Sequence, residues 1–385
     1  MEKTLKPQSV EELAEAMASS SSRDWTVELS GAGSKRQMGG PAPSTFVGIS
    51  TSALRAVRQY EPRDLTISVE AGLPWCELTK LLAANRQMVP LDPPFADTAT
   101  VGGVMAANSS GPRRKFYGTA RDFVIGMQFV TLEGKAVMSG GMVVKNVAGL
   151  DMAKLLIGSM GTLAAITRVN LKVVPQPACE RTFLLSFDTL ADAVKARDAV
   201  LRSPLQPLAL DLLSPAAAAR CGARGYTVAV EAGGNPALIG RYERDIAGFG
   251  EAAALGGGEE ASFWSGVREF VPRYLAAHPE GAVVRVSAPR NALARVFEAA
   301  PEVALARAGS GLCYACFEDP EQAASWSAEA AARGWKAVVE FAPEARRGAL
   351  DLWPSPGSDF HLMNRVKQMF DPKGLLNRGR LYGRI

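Results

Sequence analysis

Apolar positions recur along this chain at two spacings, and the change of rhythm divides it. Ser9, with Glu12 three places on, makes a capping pattern in front of a short amphipathic helix ending at 18, and the serines at 19–22 are expected as a polar joint. Apolar runs at 25–29, 45–50 and 65–70 predict strands, the last ending in Ala71 and Gly72. Proline at 74 and leucines at 78, 81 and 82 predict a helix over 74–86. Small residues over 101–108 predict a helix against whose backbone a flat ligand can lie. The pattern at 123–131 and 135–138 predicts a hairpin around Glu133 and Gly134, and 163–174 a long strand. Pro175 and Pro177 mark the expected boundary.

Beyond 182 the rhythm becomes strand, helix, strand. TFLLSF, a helix over 190–201, LALDLL, YTVAVE and a helix over 238–247 form one half. AVVRVSA, a helix over 292–299, SGLCYACF, a helix over 321–332 and AVVEFA form the other, with LGGGEE at 255–260 between them. This predicts an α+β domain whose antiparallel sheet is backed by helices on one face. A short helix at 360–370 and a basic tail close the chain.

Composition narrows the function classes. The chain has 385 residues, 47% of them hydrophobic, which is enough for two or three domains. Its 43 basic and 39 acidic side chains leave +4, and the basic residues are scattered apart from short runs such as Arg113, Arg114 and Lys115. Nucleic acid is not expected, because its footprint is a concentrated basic face. No apolar run reaches the roughly eighteen residues that span a bilayer, and the acidic start lacks a secretory core, so a cytoplasmic protein is expected. The five cysteines are too irregular for a disulfide framework. Cys313 and Cys316 have redox or metal spacing but no second pair or nearby histidine, and are read as reduced and structural. With only His278 and His361 available, no metal is expected.

Candidate chemistry lies in four glycine-punctuated stretches: 31–40, 99–111, 145–151 and 158–167. Fixing glycine costs entropy, so such clusters persist where a turn needs positive φ or a ligand must approach the main chain. The first begins like a Rossmann fingerprint with Gly31 and Gly33, but Arg36 stands where the third glycine belongs. Gly39, Gly40 and Pro41 then prevent the helix that would hold a pyrophosphate. A strand-loop-strand cradle fits better, its consecutive N–H groups forming an anion nest to which Ser34 and Lys35 add a hydroxyl and a cation.

In this order the four stretches, across residues 1–177, resemble the FAD-binding domain of the vanillyl-alcohol oxidase and p-cresol methylhydroxylase type (PCMH-type). PPFADTATVGGVMAANSSGPRRKFYGTARD, with the short length, is similar to the FAD-binding subunits of bacterial glycolate oxidase, and FDPKGLLNRGRL to the family's closing motif. The resemblance implies a two-lobed FAD-binding domain over 1–177, an α+β cap over 178–355, and a segment at 356–385 returning to the FAD domain. It implies pyrophosphate contacts from Gly31, Ala32, Gly33, Ser34 and Lys35. Flavin and ribityl contacts are implied for Thr98, Thr100, Val101, Gly102, Gly103, Ala106, Asn108, Ser109 and Gly111. Lys145, Gly161, Thr162, Leu163 and Ile166 are implied as further contacts. Peptides at 102–103 and 161–162 are candidates to stabilise the reduced flavin anion, each such donor being worth roughly 2.7–4 kcal/mol when water is excluded. Covalent relatives commonly use a histidine in the first loop; 31–40 has none, so FAD is expected to be non-covalent.

The implied activity is oxidation of glycolate to glyoxylate, a 2-hydroxy acid CH–OH oxidation. The implied partners are a catalytic flavin subunit and an iron–sulfur subunit, with a quinone-type acceptor; any membrane association is expected to be peripheral, through those partners. Two alternatives stay open: a self-sufficient FAD-dependent 2-hydroxyacid or alcohol dehydrogenase, and a non-catalytic structural flavin-domain subunit. Trp264 and Arg268, four apart on one helix face, are candidates to hold a substrate carboxylate, the alternative being cap core with the arginine alongside. His361 is a candidate proton acceptor. The histidine- and acid-rich metal site of 2-hydroxyacid dehydrogenase relatives is missing, since His278 and Glu280 do not make one.

Overall fold

The computed structural model describes residues 3–41, 46–143 and 150–385. Its contacts separate two compact units: Met1–Ser110, Thr119–Gln176 and Ser355–Ile385 in one, Gly111–Gly118 and Pro177–Pro354 in the other.

The first unit holds two main sheets. Strands β1 (Lys3–Leu5), β2 (Val27–Ser30) and β3 (Val47–Ser50) form a parallel sheet in the order β1-β3-β2. Strands β4 (Val57–Glu61), β5 (Thr66–Glu70), β7 (Val124–Val130), β8 (Ala136–Gly140) and β9 (Ala165–Lys172) form an antiparallel one in the order β4-β5-β9-β7-β8. β6 (Gln87–Met88) and β10 (Val174–Pro175) make a short pair. β4 escapes the apolar pattern because nearly all its side chains are exposed. The first helix, Val10–Ser22, is capped by Ser9 as expected, and buries Leu13 and Met17 against Val27, Ile49 and Val130. The serines expected as a joint are its last turns. Ser20 and Ser22 donate back to the carbonyls of Ala16 and Ser19 at 2.8 and 3.0 Å, which satisfies their hydroxyls within the helix. Leu375 and Leu376 share the core under that helix, and Leu376 bridges to Val27 in parallel.

The second unit is one antiparallel sheet of eight strands: β11 (Cys179–Phe187), β12 (Ala209–Leu213), β13 (Tyr226–Gly234), β14 (Ala252–Leu255), β15 (Ala282–Ser287), β16 (Ala304–Arg307), β17 (Leu312–Phe317) and β18 (Lys336–Phe341). The order β14-β11-β13-β12-β16-β17-β15-β18 makes two β-α-β-β-α-β halves meeting edge to edge at β12 and β16. Alternation sorts the side chains. Phe183, Leu212, Val230, Val284 and Ala315 enter the core shared with helices Leu190–Arg202, Pro236–Ala247, Leu293–Glu298 and Pro320–Ala332, whereas Thr182, Asp211, Glu231, Arg285, Arg307 and Tyr314 alternate with them onto the opposite face; there Thr182 and Arg307 bond to helix Gly257–Arg268, so helices cover both faces and not the one expected. Over that face Arg113 grips Glu231 through two bonds of 3.0 and 2.7 Å, and Glu180 at 2.7 Å. Cys313 and Cys316, three apart on one strand, point to opposite faces. Both are buried with thiols pushed up by burial, that of Cys313 to about 12, which suits neither metal nor redox chemistry. Among the described residues no helix is long and apolar enough to cross a membrane, and no three His, Cys, Asp or Glu are grouped to hold a metal.

Candidate cofactor site

In the first unit a cavity of about 460 Å³ opens between the glycine loops. Its lining includes Gly31, Ala32, Gly33, Ser34 and Lys35; Thr100, Gly102, Gly103 and Ala106; and Gly161 and Ile166. Thus eleven of the candidate positions come together on one wall system.

The first loop leaves β2 and turns twice, with Arg36 N–H donating to Gly33 O at 3.1 Å and Met38 N–H to Lys35 O at 3.0 Å. Gly33 holds φ +75° with open space where a side chain would project. The N–H groups of Ala32, Gly33 and Ser34 have no hydrogen-bond partner among the described residues, so three consecutive donors line the cavity, as an anion nest requires. Lys35 places its ammonium 5.5 Å from the centre of the Phe95 ring, beside those donors. A β-carbon at Gly31 would stand 2.2 Å from the Thr100 hydroxyl, so the loop passes directly over the start of the helix Val101–Ala106. Thr100 caps that helix, accepting from Gly103 N–H at 3.2 Å.

The third wall is the 158–162 turn. Gly158 and Met160 N–H donate to Met105 O and Ala106 O at 3.1 and 2.9 Å, and Met160 and Gly161 are left-handed in succession at φ +52° and +73°. Thr162 is buried and does not line the cavity, its hydroxyl donating to Ser159 O at 2.7 Å and its carbonyl accepting from Lys367 Nζ at 2.7 Å.

Other candidates lie elsewhere. Val101 and Leu163 are core, and Ser109 is buried; none lines the cavity. Thr98 is exposed in the turn after Phe95. Asn108, at φ +47°, does not line the cavity, and its buried side-chain amide oxygen has no partner among the described residues. Gly111 belongs to the second unit, and Lys145 lies outside the described residues. Trp264 and Arg268 are also in the second unit. Trp264 is buried, its indole N–H donating to Thr182 Oγ1 at 2.7 Å, and Arg268 pairs with the adjacent Glu269 at 3.3 Å; neither lines the cavity. His361 is exposed, its Nδ1 2.8 Å from Ser358 O, and does not line the cavity. Gly102 lines the cavity but its missing β-carbon answers to the protein: it would stand 2.7 Å from the Ala71 methyl, where Gly102 N–H donates to Ala71 O at 2.7 Å.

Sequence reasoning missed other lining residues, among them Asn377 and Arg380. Asn377 accepts from Leu29 N–H at 2.6 Å and donates to Met160 O at 2.6 Å and Leu29 O at 3.2 Å. The available signal was an asparagine two places before a glycine, a pattern that favours left-handed backbone; both residues are left-handed, at φ +41° and +81°.

Comparison with known proteins agrees with this geometry. Residues 2–140 match the FAD binding domain family, and 356–381 the family of C-terminal domains of FAD linked oxidases. The chain is 28% identical over 373 residues to glycolate oxidase subunit GlcE of Escherichia coli (strain K12), covering 93% of each. It is 34% identical over 172 residues to the mitochondrial D-lactate dehydrogenase [cytochrome] of Arabidopsis thaliana, covering 45% of this chain but only 30% of that one. Among solved structures, p-cresol methylhydroxylase with substrate bound superimposes with a TM-score of 0.79 at 14% identity, over 98% of this chain and 88% of the other. The fold is of the PCMH type.

Proposed function

We propose that this chain, a flavoprotein carrying the FAD binding domain and the C-terminal domain of FAD linked oxidases, is the FAD-binding subunit of a hetero-oligomeric glycolate oxidase. One observation carries the reading: the likeness to a glycolate oxidase subunit runs over 93% of both chains. When bound, FAD supplies two-electron acceptance from a CH–OH carbon. This chain's part is binding and polarisation. The three free N–H donors at Ala32, Gly33 and Ser34, with Lys35, suit a pyrophosphate. The helix at Val101–Ala106 and the Met160 and Gly161 turn offer main chain rather than bulky side chains, which suits a flat ring. Non-covalent retention fits a lining that, among the described residues, contains no histidine, cysteine or tyrosine.

In this reading glycolate becomes glyoxylate in the assembled complex, with electrons leaving through an iron–sulfur subunit toward a quinone-type acceptor. Affinity purification from the native host, with flavin and iron assays, tests it. The expected result is a yellow chain whose FAD is released by acid, co-eluting with a second flavoprotein and an iron–sulfur polypeptide, and bleached anaerobically by glycolate only in that assembly. Bleaching of the isolated chain by glycolate or D-lactate points to a self-sufficient dehydrogenase. A colourless chain that does not take up FAD ends the reading.

A further inference from the structure

The guanidinium of Arg380 sits under the return limb of the first glycine loop. It donates to the carbonyls of Arg36, Gly40 and Lys35 at 3.2, 3.4 and 3.5 Å, while its own carbonyl accepts Gly40 N–H at 3.0 Å. Four bonds therefore join one residue near the end of the chain to the 35–40 stretch. The loop is built for this approach: a β-carbon at Gly40 would stand 2.0 Å from Gly379 O, and one at Gly39, itself at φ +74°, would stand 2.8 Å from Arg380 O. Gly39 thus yields to the backbone of Arg380, and Gly40 to that of its neighbour Gly379.

We infer that Arg380 is a positioning residue for the phosphate-bearing part of the cofactor, holding the 35–40 limb so that the Ala32, Gly33 and Ser34 donors stay presented to the cavity. A planar fork can reach several carbonyls at once, which a single ammonium cannot do in the same geometry. The limb it holds is tied to the donor limb through the bond from Arg36 N–H to Gly33 O. Without the fork, the loop pays its ordering cost only when the dinucleotide binds, and that cost appears as lost affinity. The inference rests on the reading of this cavity as the FAD site.

The test compares wild type, Arg380→Gln and Arg380→Lys by amide hydrogen exchange of the ligand-free protein and by titration with FAD and with riboflavin, which lacks both phosphates. In Arg380→Gln we expect exchange across 31–40 to quicken at least tenfold, the FAD dissociation constant to rise at least tenfold, and the riboflavin constant to change less than twofold. Arg380→Lys is expected to fall between the two, and it carries the test if the glutamine variant does not fold. Equal weakening of FAD and riboflavin, or unchanged exchange across 31–40, overturns the inference. Because exchange is read without ligand, a wild-type chain that fails to hold FAD would remove the reading of the cavity while leaving the loop measurement to decide the role of Arg380.

Discussion

The side-chain amide of Asn377 donates to the carbonyl of Met160 at 2.6 Å across 217 residues of chain. The same side chain accepts Leu29 N–H at 2.6 Å, so it joins β2, the glycine turn at 160–161 and the C-terminal segment at one point. Gly161 has no room for a β-carbon because that atom would stand 2.6 Å from Asn377 Nδ2. Two walls of the cavity are therefore held at their mutual distance by one amide.

Removing it has a calculable cost. Asn377 is 4% exposed, and Asn377→Ala leaves the Leu29 N–H and the Met160 carbonyl without their partner at the half-buried cavity wall, at up to about 1–3 kcal/mol for each group that water does not reach. Thermal melting is expected to shift down and the FAD dissociation constant to rise at least tenfold. Asn377→Asp keeps the acceptor for Leu29 but turns a second oxygen toward Met160 O, and is expected to do no better. Unchanged FAD affinity in the alanine variant would sink this account.

Gly102 separates packing from cofactor contact. Since its β-carbon would meet the Ala71 methyl at 2.7 Å, Gly102→Ala is expected to lower the melting temperature of the protein even without FAD. Ala71→Gly in the same chain should return more than half of the loss. A double variant no better than the single would mean that the pressure comes from the Ala71 backbone instead.

Much of this site was legible because glycine leaves a trace whatever it is for. The four clusters marked the places where main chain comes close, and eleven of the candidate residues do line the cavity. What they did not reveal is the neighbour in each case. Gly31 yields to Thr100, Gly102 to Ala71, Gly161 to Asn377, and Gly39 and Gly40 to residues 379 and 380, none of which is close in sequence. Asn377 and Arg380 were invisible for the same reason: their partners lie more than two hundred residues away, where no periodicity reaches. For Trp264 and Arg268 the hidden part was again the partner. Helical spacing made them resemble a carboxylate clamp, but the indole N–H is taken by Thr182. The strand rhythm of the second unit was readable because its helix-facing side chains are apolar in strict alternation, whereas β4, polar and exposed, carried no such pattern.

Glu260 is the end of a buried relay. The Trp264 indole donates to Thr182 Oγ1, which donates to Glu260 Oε1, each at 2.7 Å. Burial raises the Glu260 carboxyl above the ordinary glutamate value of 4.5, the hydrogen bond from Thr182 opposing it, with nearby Glu180 pushing upward and Arg113 and Arg181 downward. Between 4.5 and that raised value the folded state holds more protons than the unfolded one, so the stability from this group is full below 4.5 and is lost as pH rises through the folded value. Glu260→Gln keeps an acceptor for Thr182 without a charge. Urea unfolding across that window should show a flatter pH dependence for the variant and at least wild-type stability at a pH of about 7.5. A variant weaker than wild type at that pH, with the slope unchanged, would refute the assignment.

Asp211 and Arg307 form a buried ion pair at the seam of the two halves. The register that pairs Leu212 with Ala306 and Leu213 with Leu305 sets Asp211 opposite Arg307, and their side chains are hydrogen-bonded, 0% and 8% exposed. Arg307 also donates to Val267 O at 3.3 Å and lies 5.7 Å from the Tyr314 ring centre. Breaking such a pair from one side leaves an uncompensated buried charge, so Asp211→Leu and Arg307→Met should each cost about 3–5 kcal/mol. Replacing both partners removes the desolvation of two ions along with their attraction, and Asp211→Leu with Arg307→Met is expected to be as stable as wild type or more so. Denaturant melts of the two singles and the double close the cycle. If the double variant lost as much as the two singles summed, the pair would be two independent side chains and not the unit that the seam geometry describes.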